Sequence, residues 1–389
     1  RFFNPSKIMA DTEKYFDCNA TTPMSAPARD TWLEMSNRFW HNPSSLYREA
    51  GAAKLQLEDY REELADLLGL DEPGRIVFTS GATEGNNALI DFLVQTSKKP
   101  VAVSAIEHPC IQAPAQRYLE TGQVREIPVN VDSGQVDLDV ASAWIRQGEV
   151  STVSVMAANN ETGVLQPWLE LAEICQSHGV QFHTDAAQWL GKRECVELGI
   201  CDYVTGSGHK FGGGKGIGFL VLPDNDKCAS FHGLLGGPQE EGRRGGTENL
   251  PGVAAMVSAL KDHEASALMA EEGRRSSERN EFERLLVAEL GCVVLGQKSP
   301  RLWNTSMVVL PHTKNRKWLT RLSRQGFCVS TGSACSAGSG NPSRVMAAMG
   351  LDFERMGKVI RVSGGWTTNS KDWNALAAAF AEVELELRA

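Results

Sequence analysis

The chain lacks any apolar run approaching the ~20 residues that a membrane-spanning helix needs, so no membrane association is expected. It also lacks Cys-x-x-Cys spacing. Its nine cysteines are odd in number and scattered, which speaks against a zinc ribbon or a disulfide framework and for reduced thiols in the cytoplasm. An excess of basic residues is missing too. Lys and Arg total 39 against 48 Asp and Glu, a formal net charge of −9, so a nucleic-acid partner held on a basic face is not expected. No charged–apolar–small leader opens the sequence, and Met9 is read as a candidate start. Internal repeats and long low-complexity segments are absent. What is present is 389 residues with 42% hydrophobic content, enough for two packed domains.

The most informative stretch runs from Tyr203 to Phe219. A strand-like run ends in Ser207-Gly208-His209-Lys210, and a glycine-rich loop follows. Glycines let a backbone approach a ligand closely. A lysine between a serine, a histidine and such a loop suits an amine that carries an aldehyde cofactor as an imine, with Ser207 and His209 on its phosphate. Alone, the stretch also reads as a basic turn with a solvated lysine. Upstream, Val180 to Thr184 reads as a short buried strand that ends at Asp185, and Gln188 follows three residues on. Pyridoxal phosphate (PLP) works as an electron sink when its ring nitrogen stays protonated, and a carboxylate partner maintains that. Asp185 meets this need, with Gln188 in reach of the ring hydroxyl. By itself Asp185 reads as a helix cap; paired with Lys210, each at a strand end, it favours the cofactor reading.

Other strand ends carry similar residues. The strand Arg75 to Thr79 turns through Ser80-Gly81-Ala82-Thr83 into a helix, giving either an anion site at Ala82 and Thr83 or an ordinary capping turn. Pro100 to Ala105 delivers His108, which either stacks on a flat ring or serves a turn. Val150 to Met156 leads to Asn159-Asn160-Glu161, ligand contacts or a surface turn. Alternating strands and helices over Arg75 to Leu222 predict an α/β fold with a mostly parallel, doubly wound sheet, whose functional loops gather at the carboxyl ends of its strands. Thr83, His108, Asn160, Asp185 and Lys210 all fall at such ends.

Around this sheet, Ala26 to Trp40 and Arg48 to Leu68 read as helices, the second with Leu55, Leu57, Leu64, Leu67 and Leu68 on its apolar side. Gly233 to Asn249 is glycine-rich, either a flexible linker or an anion holder through its arginines and Thr247. Leu250 to Leu290 predicts one or two helices interrupted near Gly273. Strands at 305–310, 327–330 and 358–362, with helices at 315–325, 342–349 and 371–387, predict a smaller C-terminal α/β domain. The expected division is 16–258 for the large domain and 259–389, with 1–15, for the small one. Between Ser330 and Pro342, Cys335 sits among small flexible residues. It is either an exposed thiol on an arm suited to sulfur transfer or an incidental surface thiol.

Taken together, these segments resemble the cysteine desulfurases of the class V aminotransferase superfamily, PLP enzymes of fold-type I, and within them the housekeeping iron–sulfur and nitrogenase-type group. The resemblance spans nearly the whole chain. It rests on Ala20-Thr21-Thr22-Pro23, Asn42-Pro43-Ser44-Ser45, Thr79 to Glu84, Glu107-His108, Asn159 to Gly163, Asp185 to Gln188, Ser207 to Lys210, Arg244 to Asn249 and Ser333-Ala334-Cys335. It implies conversion of L-cysteine to L-alanine, with sulfur passed to Cys335 as a persulfide and on to an acceptor protein, for iron–sulfur clusters or another sulfur pathway. It implies that Lys210, Cys335 and His108 are catalytic, with no metal. Ala82, Thr83, Ser207 and His209 would hold the phosphate, while Asp185, Gln188, His108 and Asn160 contact the rest of the cofactor or lie beside it. Thr247 would reach the phosphate of a neighbouring subunit, which implies a homodimer.

One segment departs from the family pattern. Ile360-Arg361-Val362-Ser363-Gly364-Gly365-Trp366 carries no arginine after its glycines, where the family places the clamp on the substrate carboxylate. Two expectations follow. Either Arg48 or Arg243 supplies the clamp, or the enzyme is a β-lyase or other class V activity acting on cystine, selenocysteine or another amino acid.

Overall fold

The computed structural model describes residues 14–223, 228–264, 270–332 and 343–388. Ser25 caps α1 (Ala26–Arg38) by accepting from the Ala28 amide. Gly69, at φ 70°, ends α2 (Arg48–Leu68) in a left-handed cap that a residue without Cβ adopts readily.

Seven strands then build the larger sheet: β1 (Ile76–Thr79), β2 (Val101–Ser104), β3 (Val124–Ile127), β4 (Thr152–Ser154), β5 (Gln181–Asp185), β6 (Tyr203–Ser207) and β7 (Gly218–Val221). Their order is β1-β7-β6-β5-β4-β2-β3. Strands β2 to β6 pair in parallel, while β7 runs antiparallel to both β6 and β1. Strands β1, β2 and β7 are short, mostly apolar and wholly buried, as a sheet covered on both faces requires, while β5 and β6 bury polar residues as well. Helices α3 (Ala82–Thr96), α4 (Pro109–Leu119), α5 (Leu138–Arg146) and α6 (Trp168–His178) follow strands β1 to β4 in turn. One apolar cluster joins Leu64, Phe182, Val204, Phe219 and Met256; another joins Leu89, Ile90, Val103, Ile111 and Leu220. Helix α7 (Leu250–Glu264) packs on α1 and α2.

The smaller sheet has the order β10-β9-β8, antiparallel throughout, with β8 (Val293–Val294), β9 (Thr305–Val309) and β10 (Val359–Ser363). Helices α8 (Glu272–Leu290), α9 (Asn315–Arg324) and α12 (Ser370–Arg388) enclose a core of Phe16, Phe282, Trp318 and Phe380. The short helices α10 (Arg344–Ala348) and α11 (Phe353–Met356) flank it. The N-terminal segment joins this unit: Tyr15 bridges Cys328, Asp17 bridges Ser363, and Phe16 is fully buried.

Two expectations change. Residues 327–330 do not form a strand. Cys328 pairs with Tyr15 on one side and Ser330 with Arg361 on the other, as single bridges, so the extended residues are divided between two partners. On α2, Leu57, Leu64 and Leu68 are buried but Leu55 is exposed. Leu55 lies two residues, about 200° of helical turn, from Leu57, and so faces away from the core.

Candidate active site

The carboxyl ends of β2, β4, β5 and β6 deliver polar groups to a common cleft, as the ends of parallel strands do. Ala82, Thr83, His108, Asn160, Asp185, Gln188, Ser207, His209 and Lys210 all line one cavity of about 530 Å³. Thr247 does not; it is exposed, in the segment before α7. Cys335 lies outside the described residues. Its described flanks, Gly332 and Ser343, both meet Glu161. Ser343 Oγ donates to Glu161 Oε2 at 2.7 Å, and a Cβ on Gly332 would stand 3.1 Å from the same oxygen. Glu161 follows Asn160 of the cavity lining, so these two flanks stand beside the cavity's edge.

Lys210 ends a single turn after β6. Its Nζ donates to Asn19 O at 2.7 Å and Ala20 O at 2.9 Å. The Asn19 backbone is held from the far side of the cleft: its amide donates to Ser363 Oγ at 3.0 Å, and its side chain bonds Thr305 Oγ1 and Asn304. Asp185 ends β5 and is buried. Its Oδ2 accepts from Asn86 Nδ2 at 2.9 Å and its Oδ1 from the Ala187 amide at 2.9 Å.

His108 is the N-cap of α4, its Nδ1 accepting from the Cys110 amide at 3.2 Å. That acceptor role puts the proton of the neutral ring on Nε2. Burial lowers the His108 pKa, against the pull of Asp185 and with Lys210 and Arg361 adding to the depression. His209 Nδ1 meets Thr21 Oγ1 at 3.1 Å, and burial, then Lys210, Lys215 and Lys192, bring its pKa down to about 4. Both rings are therefore neutral at pH near 7.

The start of α3 fits an anion. Its N-cap, Gly81, offers no side-chain hydrogen bond, and a Cβ there would stand 3.3 Å from Ser207 Oγ. The first amides of this 15-residue helix and the Ser207 hydroxyl thus face the same space. Asn160 Oδ1 is buried without a hydrogen-bond partner. A cleft with an amine, a held carboxylate, a ring-bearing cap and an open helix start matches the donor set PLP requires.

Several contributors escaped sequence reasoning. Asn86 sits one turn into α3 and is fully buried; a polar residue among the apolar positions of the helix's inner face was its signal. Glu107, beside His108, accepts from Ser104 Oγ at 2.6 Å and the Met156 amide at 2.7 Å, and burial raises it to about 8. Asn19 and Lys192 carried no local signal. The arginine question also finds an answer in placement. Neither Arg48 nor Arg243 lines the cavity. Arg48 is exposed at the start of α2, and Arg243 donates to Gly74 O and pairs with Glu241. Trp366 instead stacks on His263 at 3.9 Å and donates to Gly191 O. Arg361 is buried between Asp17 Oδ1 at 2.6 Å and Asn160 O at 3.0 Å.

A parallel sheet with a lysine and a carboxylate at adjacent strand ends, joined to a small C-terminal unit, defines the fold-type I class of PLP enzymes. The chain belongs to the aminotransferase class-V family, which matches residues 14–376. A cysteine desulfurase from Nostoc sp. is 34% identical over 383 residues, covering 96% of this chain and 94% of that protein. The solved structure of a NifS-like protein from Rickettsia africae superposes with a TM-score of 0.82 at 29% identity, covering 95% of this chain and 99% of the other. A structure described as SspA in complex with cysteine gives a TM-score of 0.76 at 29% identity, covering 91% and 99%.

Proposed function

We propose that the chain is a PLP-dependent cysteine desulfurase. The observation that carries this reading is the meeting of Lys210 and Asp185 in one cavity with the open start of α3, in a chain whose relatives are named cysteine desulfurases. Lys210 would hold the aldehyde of the cofactor, Asp185 its ring nitrogen and Gln188 its hydroxyl. Ala82, Thr83, Ser207 and His209 would hold the phosphate. When bound, PLP supplies an electron sink for the carbon that loses its proton.

The chain's own residues do the rest. Lys210 Nζ moves the proton at the substrate Cα. His108 would stand against the cofactor ring and exchange protons through Nε2, because Nδ1 is taken by the Cys110 amide. Asn160, lining the cavity, would stand beside the substrate carboxylate. The Cys335 thiolate attacks the sulfur of L-cysteine; the carbon–sulfur bond breaks, the persulfide stays on Cys335, and the carbon takes a proton to give alanine. An acceptor protein then collects the sulfur for iron–sulfur clusters or another pathway. L-cysteine as substrate is supported by the neighbour solved with cysteine. The β-lyase alternative, raised by the missing arginine, is not favoured, since the curated relatives across 96% of the chain are desulfurases.

A homodimer is part of this proposal. Trp40, Leu46, Tyr47, Leu55 and Leu235 are exposed apolar side chains. Their segments adjoin one another: Gln239 Nε2 donates to Ser44 Oγ, and Lys54 lines the same cleft. Exposed Thr247 lies in the same stretch of chain, suited to reach a second subunit. None of the eight cysteines among the described residues is in a disulfide, which suits the proposed cytoplasmic location, and no described helix is long and apolar enough to cross a membrane. Lys210→Ala tests the reading. It should abolish both the visible absorbance of the PLP-loaded protein and alanine formation, and retention of both would overturn it.

A further inference from the structure

Lys192 is a buried ionisable group for which the chemistry above has no task. It is 4% exposed, a rare position for a lysine without a carboxylate partner. The titratable and charged groups facing it are Cys18 on the N-terminal segment, Lys210 after β6 and Arg361 on β10. Its charge is also felt at His209 and His263. None of these is a carboxylate, and burial lowers the Lys192 amine to about 7.

What satisfies it is a single residue. Lys192 Nζ donates to Gln188 O at 3.3 Å and to Gln188 Oε1 at 3.2 Å. At the other end of the same amide, Gln188 Nε2 donates to Asn19 O at 2.9 Å. Asn19 O is also the oxygen that accepts from Lys210 Nζ. A side-chain amide can turn over with little change in shape, and only its hydrogen-bond partners decide which end points where. Here a donor faces one end and a pure acceptor the other, so both partners select one orientation. One N–H of Gln188 goes to Asn19 O; the second is left for an acceptor in the cavity.

We propose that Lys192 is a positioning residue that locks the Gln188 amide so that an N–H, not the oxygen, is presented to the ring oxygen of the cofactor. This rests on the PLP reading given above. Without Lys192, the amide loses one of the two partners that select this orientation, Asn19 O alone remains to hold it, and the N–H is presented to the ring oxygen less firmly.

The test compares the PLP dissociation constant of the apo-protein, and the position of the visible band after loading, in wild type, Lys192→Met, Lys192→Gln and Gln188→Ala. Methionine keeps much of the lysine stem but donates nothing. It should weaken PLP binding about tenfold, the scale of one unmade buried hydrogen bond, and move the band. Glutamine returns a donor and should restore most of both. In a Gln188→Ala background, Lys192→Met should add no further change. Wild-type affinity and band position in Lys192→Met overturn the proposal. So does an undiminished effect of that substitution in the Gln188→Ala background, which marks general packing. Where Lys192→Met does not fold, Lys192→Gln decides: values near wild type support the proposal, and binding as weak as that of Gln188→Ala overturns it. If the wild-type protein takes up no PLP, the functional reading fails and this proposal falls with it, a result recognised before any variant is compared.

Discussion

Asn86 Nδ2 donates to Asp185 Oδ2 at 2.9 Å, and Asn86 Oδ1 accepts from Thr205 Oγ1 at 2.7 Å. A helix side chain thereby ties the carboxylate at the end of β5 to the middle of β6. With the Ala187 amide on Oδ1, the contact holds the orientation of the Asp185 carboxylate. Asn86→Leu removes a hydrogen bond to a charged group, worth about 1.5–3 kcal/mol. PLP affinity should fall roughly 10- to 100-fold on the same arithmetic, read by titrating the apo-protein.

Glu107 predicts a pH dependence of stability. Burial raises its carboxyl from 4.5 to about 8. Across that window the folded chain keeps a proton that the unfolded chain releases. The stability is therefore fully present below the unfolded value and is lost as pH rises toward the folded one. Glu107→Gln removes the titration while keeping an acceptor for Ser104 Oγ and the Met156 amide. Its urea midpoint should exceed that of wild type near pH 9 and approach it near pH 5.

A buried ion pair ties α8 to the segment before β9. Arg301 donates through two nitrogens to Glu283, at 2.7 and 2.8 Å, with both side chains almost wholly buried. Glu283→Ala leaves a buried guanidinium without its partner and should cost about 3–5 kcal/mol of unfolding free energy. Replacing both residues by methionine should recover only part of that loss, because buried Arg279, 3.9 Å from Glu283, still loses its carboxylate. Chemical denaturation of the two variants checks this.

The exposed apolar side chains predict oligomeric state. Light scattering should find a dimer for the wild-type chain. Leu55→Glu combined with Leu235→Glu should give a folded monomer with weakened PLP binding, because Thr247 would no longer reach a neighbouring site. A wild-type monomer, or a double variant that still forms dimers, would count against the shared site.

The sequence carried much of this because parallel α/β sheets place ligand residues at strand ends. Thr83, His108, Asn160, Asp185 and Lys210 each follow a short apolar run, and that local pattern was enough to group them. Asn19 and Lys192 were not legible for the opposite reason. Asn19 O meets Lys210 Nζ across 191 residues of chain, and Lys192 earns its place through a turn back onto Gln188. Leu55 misled because it belongs to an amphipathic helix yet lies on its outward face, where an apolar residue signals a partner rather than the core. Residues 327–330 looked like a strand and are extended, but their partners are divided between Tyr15 and Arg361, which no local pattern encodes.

The most direct measurement is the product balance with L-cysteine in wild type and Cys335→Ala. Wild type should form alanine, and one added sulfur atom should be found on Cys335 by mass spectrometry. Cys335→Ala should bind PLP normally and form little alanine. Pyruvate and ammonia in place of alanine, or alanine formed equally well without Cys335, would contradict the account.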